Sequence, residues 1–213
     1  MSKKAIIFDL DGTLLDTITD LALSVNHTLQ EFGFATHDID DYKYKVGNGM
    51  RKLIERALPE NHLDKTDVVL EKFMAYYDEH KADHTRAYEG ITELLRELTQ
   101  KGVKLAVLTN KAHDPAVQLV KKYFGETFDV IHGQKEGVPR KPDATSTLQV
   151  LETLGVSAQE CLFVGDSAVD IHTAKNAGIT SVGVLWGFRT KEELESAGAA
   201  HIVSTPKQIL ELI

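Results

Sequence analysis

The chain has 213 residues, 42% hydrophobic and 26% charged, an ordinary balance for a globular protein long enough for a sizeable core in one large or two small domains. A net charge of −8 with no basic cluster argues against nucleic acid or an acidic membrane surface as partner. A single cysteine, Cys161, excludes an intrachain disulfide, and no apolar run approaches the ~20 residues that span a bilayer, so a cytoplasmic protein without a membrane partner is expected.

The first element is Ala5 to Phe8, an Ile-rich run too short for a helix, which predicts a strand buried on both faces. It leads into Asp9-Leu10-Asp11-Gly12-Thr13, which breaks the apolar stretch too early for a signal peptide. Residues two apart in extended chain point the same way, so Asp9 and Asp11 are expected to face one space, with Gly12 turning the chain away. Taken alone, the motif reads equally well as a polar turn, since Asp, Gly and Thr all favour turns.

A helical stripe follows, through Ile18, Leu21, Ala22, Val25, Leu29 and Phe32, with Asp16 or Thr17 as N-cap and Gly33 as stop. After a polar stretch, Val46-Gly47-Asn48-Gly49 predicts a loop whose backbone can approach a ligand closely. Met50 to Leu58, closed by Pro59, and Thr66 to Lys81 predict two more helices. Residues 16–82 are therefore expected to be helical throughout, without a strand, inserted between residues 1–15 and 83–213.

Beyond Gly90 the two periodicities alternate. Helices are predicted over 91–100, 113–123, 142–154, 168–177, 191–197 and 205–212, and strands over 104–108, 128–132, 161–164, 181–185 and 200–203. The alternation predicts an α/β fold, a doubly wound parallel sheet (a Rossmann-like core) with right-handed crossovers, interrupted by a small all-helical insert.

In such a sheet the strand C-termini share one edge. Asp9 and Asp11, Thr109 and Asn110, Lys141 in the Arg140-Lys141-Pro142-Asp143 loop, and Asp166 with Asp170 are thereby expected to converge. Asp9, a backbone carbonyl near Asp11, and Asp166 offer hard oxygens suited to Mg²⁺. Lys141 would admit an anionic phosphate, and Thr109 and Asn110 can donate to its oxygens. Other candidates are weaker. None of the nine histidines makes a convincing metal pair, His80 and His84 included. Trp186-Gly187-Phe188 reads as packing at a strand end. Lys45 and Arg51 flank the Gly-Asn-Gly loop as a solvated face, unless Arg51 pairs with a substrate carboxylate.

Asp9-Leu10-Asp11-Gly12-Thr13, Thr109, Lys141 and Gly165-Asp166-Ser167-Ala168-Val169-Asp170 resemble, in order, the four signature motifs of the haloacid dehalogenase superfamily of phosphohydrolases. Val46-Gly47-Asn48-Gly49 and the helix after it are most similar to the phosphoglycolate phosphatases within it. The resemblance implies that Asp9 is a nucleophile forming an aspartyl-phosphate, that Asp11 is general acid and base, and that Lys141 offsets phosphoryl charge. It implies a Mg²⁺ site drawn from Asp9, Asp11, Asp166 and Asp170, with Asp170 orienting Lys141 or a metal-bound water. It also implies a substrate site using Gly12, Thr13, Thr109, Asn110 and Lys141, with Gly47, Asn48 and Arg51 contributed by the helical insert as a cap. The expected enzyme is a Mg²⁺-dependent phosphoric monoester hydrolase, monomeric or homodimeric, acting on a small phosphorylated metabolite such as 2-phosphoglycolate. A β-phosphoglucomutase-like mutase, a pyrophosphatase and a receiver-like phospho-acceptor switch are the alternatives. Asp11 disfavours dehalogenases and P-type ATPases, which lack an aspartate at that place.

Overall fold

A computed structural model describes residues 2–213. Its strands are β1 (Ala5–Phe8), β2 (Leu15–Asp16), β3 (Arg86–Ala87), β4 (Lys104–Ala112), β5 (Val130–Gln134), β6 (Cys161–Gly165), β7 (Thr180–Val184) and β8 (His201–Val203). Its α-helices are α1 (Ile18–Glu31), α2 (Tyr42–Lys45), α3 (Met50–Ala57), α4 (Thr66–His80), α5 (Ile91–Gln100), α6 (His113–Phe124), α7 (Thr145–Leu154), α8 (Ala168–Asn176) and α9 (Lys191–Ala197). Short 3₁₀ turns occupy Ile39–Asp41, Glu60–Lys65, Ala158–Glu160 and Pro206–Leu212. No helix among the described residues is long and apolar enough to cross a membrane.

Six strands form one parallel sheet in the order β5-β4-β1-β6-β7-β8, with β1 at its centre. Alternation along β1 divides the core between the two faces. Ile6 and Phe8 pack with Leu94, Leu98, Leu119 and Val120 from α5 and α6. Ala5 and Ile7 pack with Val150, Leu151, Leu154 and Ala174 from α7 and α8. Helices thus cover both faces, as a central strand with no exposed residue requires.

The segment between β2 and β3 holds α1 to α4 around a separate apolar cluster that includes Leu21, Val25, Leu29, Leu53, Ile54, Phe73 and Tyr77. Phe188, from the connection after β7, packs into that cluster as well.

Three local expectations differ from the structure. Residues 15–16 are not part of a purely helical insert; they pair antiparallel with 86–87 as a two-stranded ribbon where the insert leaves and rejoins the sheet. The strand expected to stop at Leu108 continues, with a register shift, to Ala112, carrying Thr109, Asn110 and Lys111 inside β4. α7 starts at Thr145 rather than Pro142, because Asp143 Oδ1 accepts the Thr145 N–H (2.8 Å) there. The Lys141–Pro142 peptide is cis.

Ile7 is fully buried at the centre of the sheet. Ile7→Ala is expected to lower unfolding free energy by about 2–5 kcal/mol, the range for large-to-small core substitutions. Urea denaturation checks this, with an unchanged midpoint refuting it.

Candidate active site

β1 ends at Phe8 and the ladder passes one residue further, the Asp9 N–H donating to the Val164 carbonyl (2.9 Å). The chain then coils into a tight turn, with the N–H groups of Thr13, Leu14 and Leu15 all donating to the Leu10 carbonyl. Gly12 makes the turn possible: its φ is +86°, and a Cβ there would lie 2.3 Å from Asp166 Oδ2. Glycine is also required at Gly187, where a Cβ would meet Asp166 Cβ at 2.3 Å. Asp166 is thus clamped between two backbones, and its Oδ2 accepts the Phe188 N–H at 2.8 Å.

Lys141 Nζ sits 2.9 Å from Asp9 Oδ1 and 2.7 Å from Asp170 Oδ1, with only 3% of its side chain exposed. Asp170 is held in turn by the N–H (3.1 Å) and hydroxyl (2.7 Å) of Ser167, both donating to its Oδ2. Asp9 Oδ1 also accepts the Leu10 N–H at 2.7 Å, so both interactions of Asp9 fall on one oxygen and Oδ2 carries neither.

Asp11 leans the other way. Its Oδ1 accepts from the Thr17 hydroxyl (2.7 Å) and from Lys111 Nζ (3.0 Å). Thr17 stands at the N-cap position of α1 but gives its hydroxyl to Asp11 instead of capping the helix. The Lys111 ammonium lies 5.0 Å from the centre of the Tyr77 ring, a cation–π distance that brings α4 against the core.

Burial pushes the Asp9 carboxyl up to about 7; Lys141 opposes the rise and the Asp170 carboxylate adds to it. Burial likewise lifts Asp166 well above the usual range, reinforced by Asp170 and Asp9. Burial alone would lower both lysines, but Asp170 and Asp9 at Lys141, and Asp11 at Lys111, more than offset it, so both stay charged.

Ligand oxygens of Asp9, Asp166 and Asp170 lie within 4.8 Å of one another. This all-oxygen donor set fits a hard cation such as Mg²⁺. Burial raises the Asp9 and Asp166 carboxyls, and a divalent cation at this site would favour their ionised forms. Asp11 is not in that group, its carboxylate being drawn to Lys111 and Thr17.

A cavity of ≈ 40 Å³ lies between the sheet edge and the insert, lined by Asp9, Asp11, Thr109, Lys111, Asp166, Phe188 and Arg189 from the core and by Leu21, Val46, Gly47, Gly49 and Met50 from the insert; Lys141 and Asp170 are not in its lining. The other sequence candidates fall as follows. Gly47 reaches the cavity but Asn48 does not, since its Oδ1 accepts from Arg56 (2.7 Å). Arg51 turns outward to pair with Asp67, correcting the expectation that it faces substrate. Thr13 is fully buried and outside the cavity wall, its carbonyl accepting from Trp186 Nε1 at 3.0 Å. Asn110 lines the wall, yet both its amide hydrogens are spent on backbone carbonyls, of Gly47 (2.9 Å) and Lys141 (3.1 Å), so it is no free phosphate donor. His80 and His84 pair with Asp83 and Asp20. Phe188, expected only to pack, also lines the cavity and fixes Asp166. Lys111 was not anticipated. The signal was present, since it lies two residues from Thr109 in the same strand.

The family model for haloacid dehalogenase-like hydrolases matches residues 6–184. A phosphoglycolate phosphatase of Agrobacterium fabrum is 41% identical over 196 residues, 85% of this chain and 80% of its own. One from Aquifex aeolicus is 33% identical over 211 residues, 99% and 96% of the two chains. Among solved structures, a Lactobacillus delbrueckii subsp. bulgaricus protein superposes with a TM-score of 0.95 at 35% identity, over 100% of this chain and 99% of that one. A haloacid dehalogenase-like family hydrolase from Streptococcus pneumoniae gives 0.90 at 25%, over 99% and 98%. With its fold, its four strand-end motifs and these relatives, the chain belongs to the haloacid dehalogenase-like hydrolases.

The raised carboxyls make stability depend on pH. Asp9 moves from an ordinary 3.8 to about 7 on folding, so between these values the folded state holds protons that the unfolded chain has released. That contribution is whole below pH ~4 and is lost as pH rises through ~7, and Asp166 acts in the same sense. In EDTA, wild-type stability to urea is expected to fall from pH 5 to pH 7.5 more steeply than that of Asp166→Asn. Equal slopes would refute the linkage.

Proposed function

We propose that the chain is a Mg²⁺-dependent phosphatase of small phosphate monoesters, working through an aspartyl-phosphate on Asp9, with 2-phosphoglycolate as the first substrate to test. The observation that carries the reading is the Asp9–Lys141–Asp170 array beside Asp166 at one sheet edge, with Asp9 in the cavity wall and both interactions of its carboxylate on Oδ1. The substrate is suggested by the relatives, which are phosphoglycolate phosphatases at 33–41% identity over most of the chain.

In this reading Asp9 Oδ2 attacks phosphorus while Oδ1 stays pinned by Leu10 N–H and Lys141, which fixes the angle of approach. The P–O bond to the leaving alcohol breaks, and Asp11 delivers the proton to that oxygen. Asp11 then takes a proton from a water that attacks the same phosphorus, freeing Asp9 and inorganic phosphate. Lys141, 2.9 Å from Asp9 Oδ1, puts positive charge beside the attacking carboxylate, and Thr109 offers a hydroxyl from the cavity wall. Mg²⁺, held by Asp9 and Asp166 with Asp170 positioning Lys141, would supply further charge neutralisation. Val46, Met50, Leu53 and Phe188 give the remaining wall an apolar surface that excludes water. On the insert's side of the wall the lining residues Leu21, Val46, Gly47, Gly49, Met50 and Leu53 include no basic side chain to hold another phosphate, which sets the mutase reading lower.

Phosphate release from a panel of 2-phosphoglycolate, hexose 1-phosphates, pyrophosphate and nucleotides is expected only with Mg²⁺, to peak on 2-phosphoglycolate, and to fall by about 10³-fold or more in Asp9→Asn. Release that persists in Asp9→Asn, or in EDTA, would overturn the mechanism. A peak on another ester would replace the substrate and leave the mechanism standing.

A further inference from the structure

The polar side chains at the edge of the cavity grip the insert. The Asn110 amide has two hydrogens and both are taken, by the carbonyl of Gly47 at 2.9 Å and that of Lys141 at 3.1 Å. Its oxygen accepts the Lys141 N–H at 2.9 Å. One buried side chain thereby holds both backbone groups of Lys141 and, with its remaining hydrogen, a loop of the insert. Arg189 grips the same loop, one terminal nitrogen donating to the Lys43 carbonyl and the other to the Val46 carbonyl (3.1 Å). Its guanidinium lies 5.1 Å from the centre of the Tyr44 ring. The last carbonyls of α2 have no partners within so short a helix, and a cation is well placed to take them. Three carbonyls of α2 and the loop after it, at Lys43, Val46 and Gly47, thus end on two core side chains.

We propose that Asn110 is a positioning residue that couples the seating of the Lys43–Gly49 loop to the placement of Lys141, with Arg189 setting how firmly the loop is seated. Val46, Gly47, Gly49 and Met50 form the insert's side of the cavity, which at ≈ 40 Å³ has room for a few waters only. A phosphate ester enters when this loop withdraws. Withdrawal takes the Gly47 carbonyl from Asn110, and the amide that orders the Lys141 backbone loses one of its three anchors. Reseating the loop restores it, so closing the cavity and aligning the lysine are one event. Entry of an ester rests on the function proposed above; the coupling itself does not and is measured without substrate.

Hydrogen–deuterium exchange of peptides covering 43–49 and 140–143 tests it, using Asn110→Ala, Arg189→Met and the double variant. Asn110→Ala is expected to speed exchange in both segments, by roughly 10-fold or more for loss of buried hydrogen bonds. Arg189→Met frees the 43–49 loop and also breaks the Arg189–Glu193 pair (3.4 Å), contacts that involve neither Asn110 nor Lys141, yet on this coupling it should also speed exchange at the Lys141 amide. In the double variant it should add nothing further at 140–143. Should Asn110→Ala fail to fold, Arg189→Met alone decides the matter. Faster exchange confined to 43–49 in Arg189→Met, or unchanged exchange at 43–49 in Asn110→Ala, overturns the proposal. Kinetics give a second readout: in Arg189→Met the coupling lowers kcat as well as raising KM, and a rise in KM alone marks the loop as a mere wall. Absence of turnover on every ester would count against the proposed function and leave the exchange result intact.

Discussion

A single buried ammonium makes the rest of the arrangement possible. Lys141 lies between Asp9 and Asp170, which are far apart in sequence: Asp9 directly follows β1, and Asp170 sits in the first turn of α8 after the adjoining strand β6. Taking three charges out of water is costly unless each is paired and hydrogen-bonded, so the surroundings must hold all three in register. Ser167 does so for Asp170, the Leu10 N–H for Asp9, and Asn110 for the Lys141 backbone. Removing any of these would leave a charge buried with fewer partners than it needs. Asp166, whose carboxyl burial pushes up, has no ion pair among the described residues, and a divalent cation beside it would favour its ionised form.

Much of this was legible in the chain itself, for identifiable reasons. The central strand is apolar on both faces and ends in carboxylates, and a parallel sheet has only one edge at which such ends can meet. Residues from four strand ends therefore had one place to go, and the convergence of Asp9, Asp166 and Asp170 follows from topology. Helix boundaries followed from apolar spacing, as along α1 and α5. Interactions outside that periodicity were not legible. Thr17 suits an N-cap but finds a stronger partner in Asp11, and Asn110 suits a phosphate donor but satisfies backbone carbonyls first. Arg51 sits beside the Gly-Asn-Gly loop, yet its helix turns it toward Asp67. In each case the residue type permits two uses, and a neighbour distant in sequence decides between them.

The ribbon of β2 and β3 was missed because two-residue strands carry no periodicity, yet it shapes how the insert is attached. The insert departs directly after the Gly12 turn and returns within one residue of Tyr88, whose N–H donates to the Leu14 carbonyl (3.2 Å). Its return is fastened by Asp20, buried on α1, which accepts the N–H groups of both His84 and Thr85. The root of the insert is therefore tied to the turn that presents Asp11.

The far side of the insert is attached differently. The 43–49 loop is joined to the core through carbonyls on Asn110 and Arg189 and through contact with a core aromatic, Phe188. Three or four polar contacts of this kind open far more readily than a packed apolar interface. The four-helix cluster keeps its own core, into which the sheet domain sends Phe188. Asp11 is anchored to the root through Thr17, and Lys141 to the loop through Asn110. The proposed acid–base group and the proposed phosphoryl-binding cation thus answer to opposite ends of the same insert. On the coupling proposed above, seating root and loop together steadies both groups, which ties enclosure of the ester to the placement of the groups that would act on it.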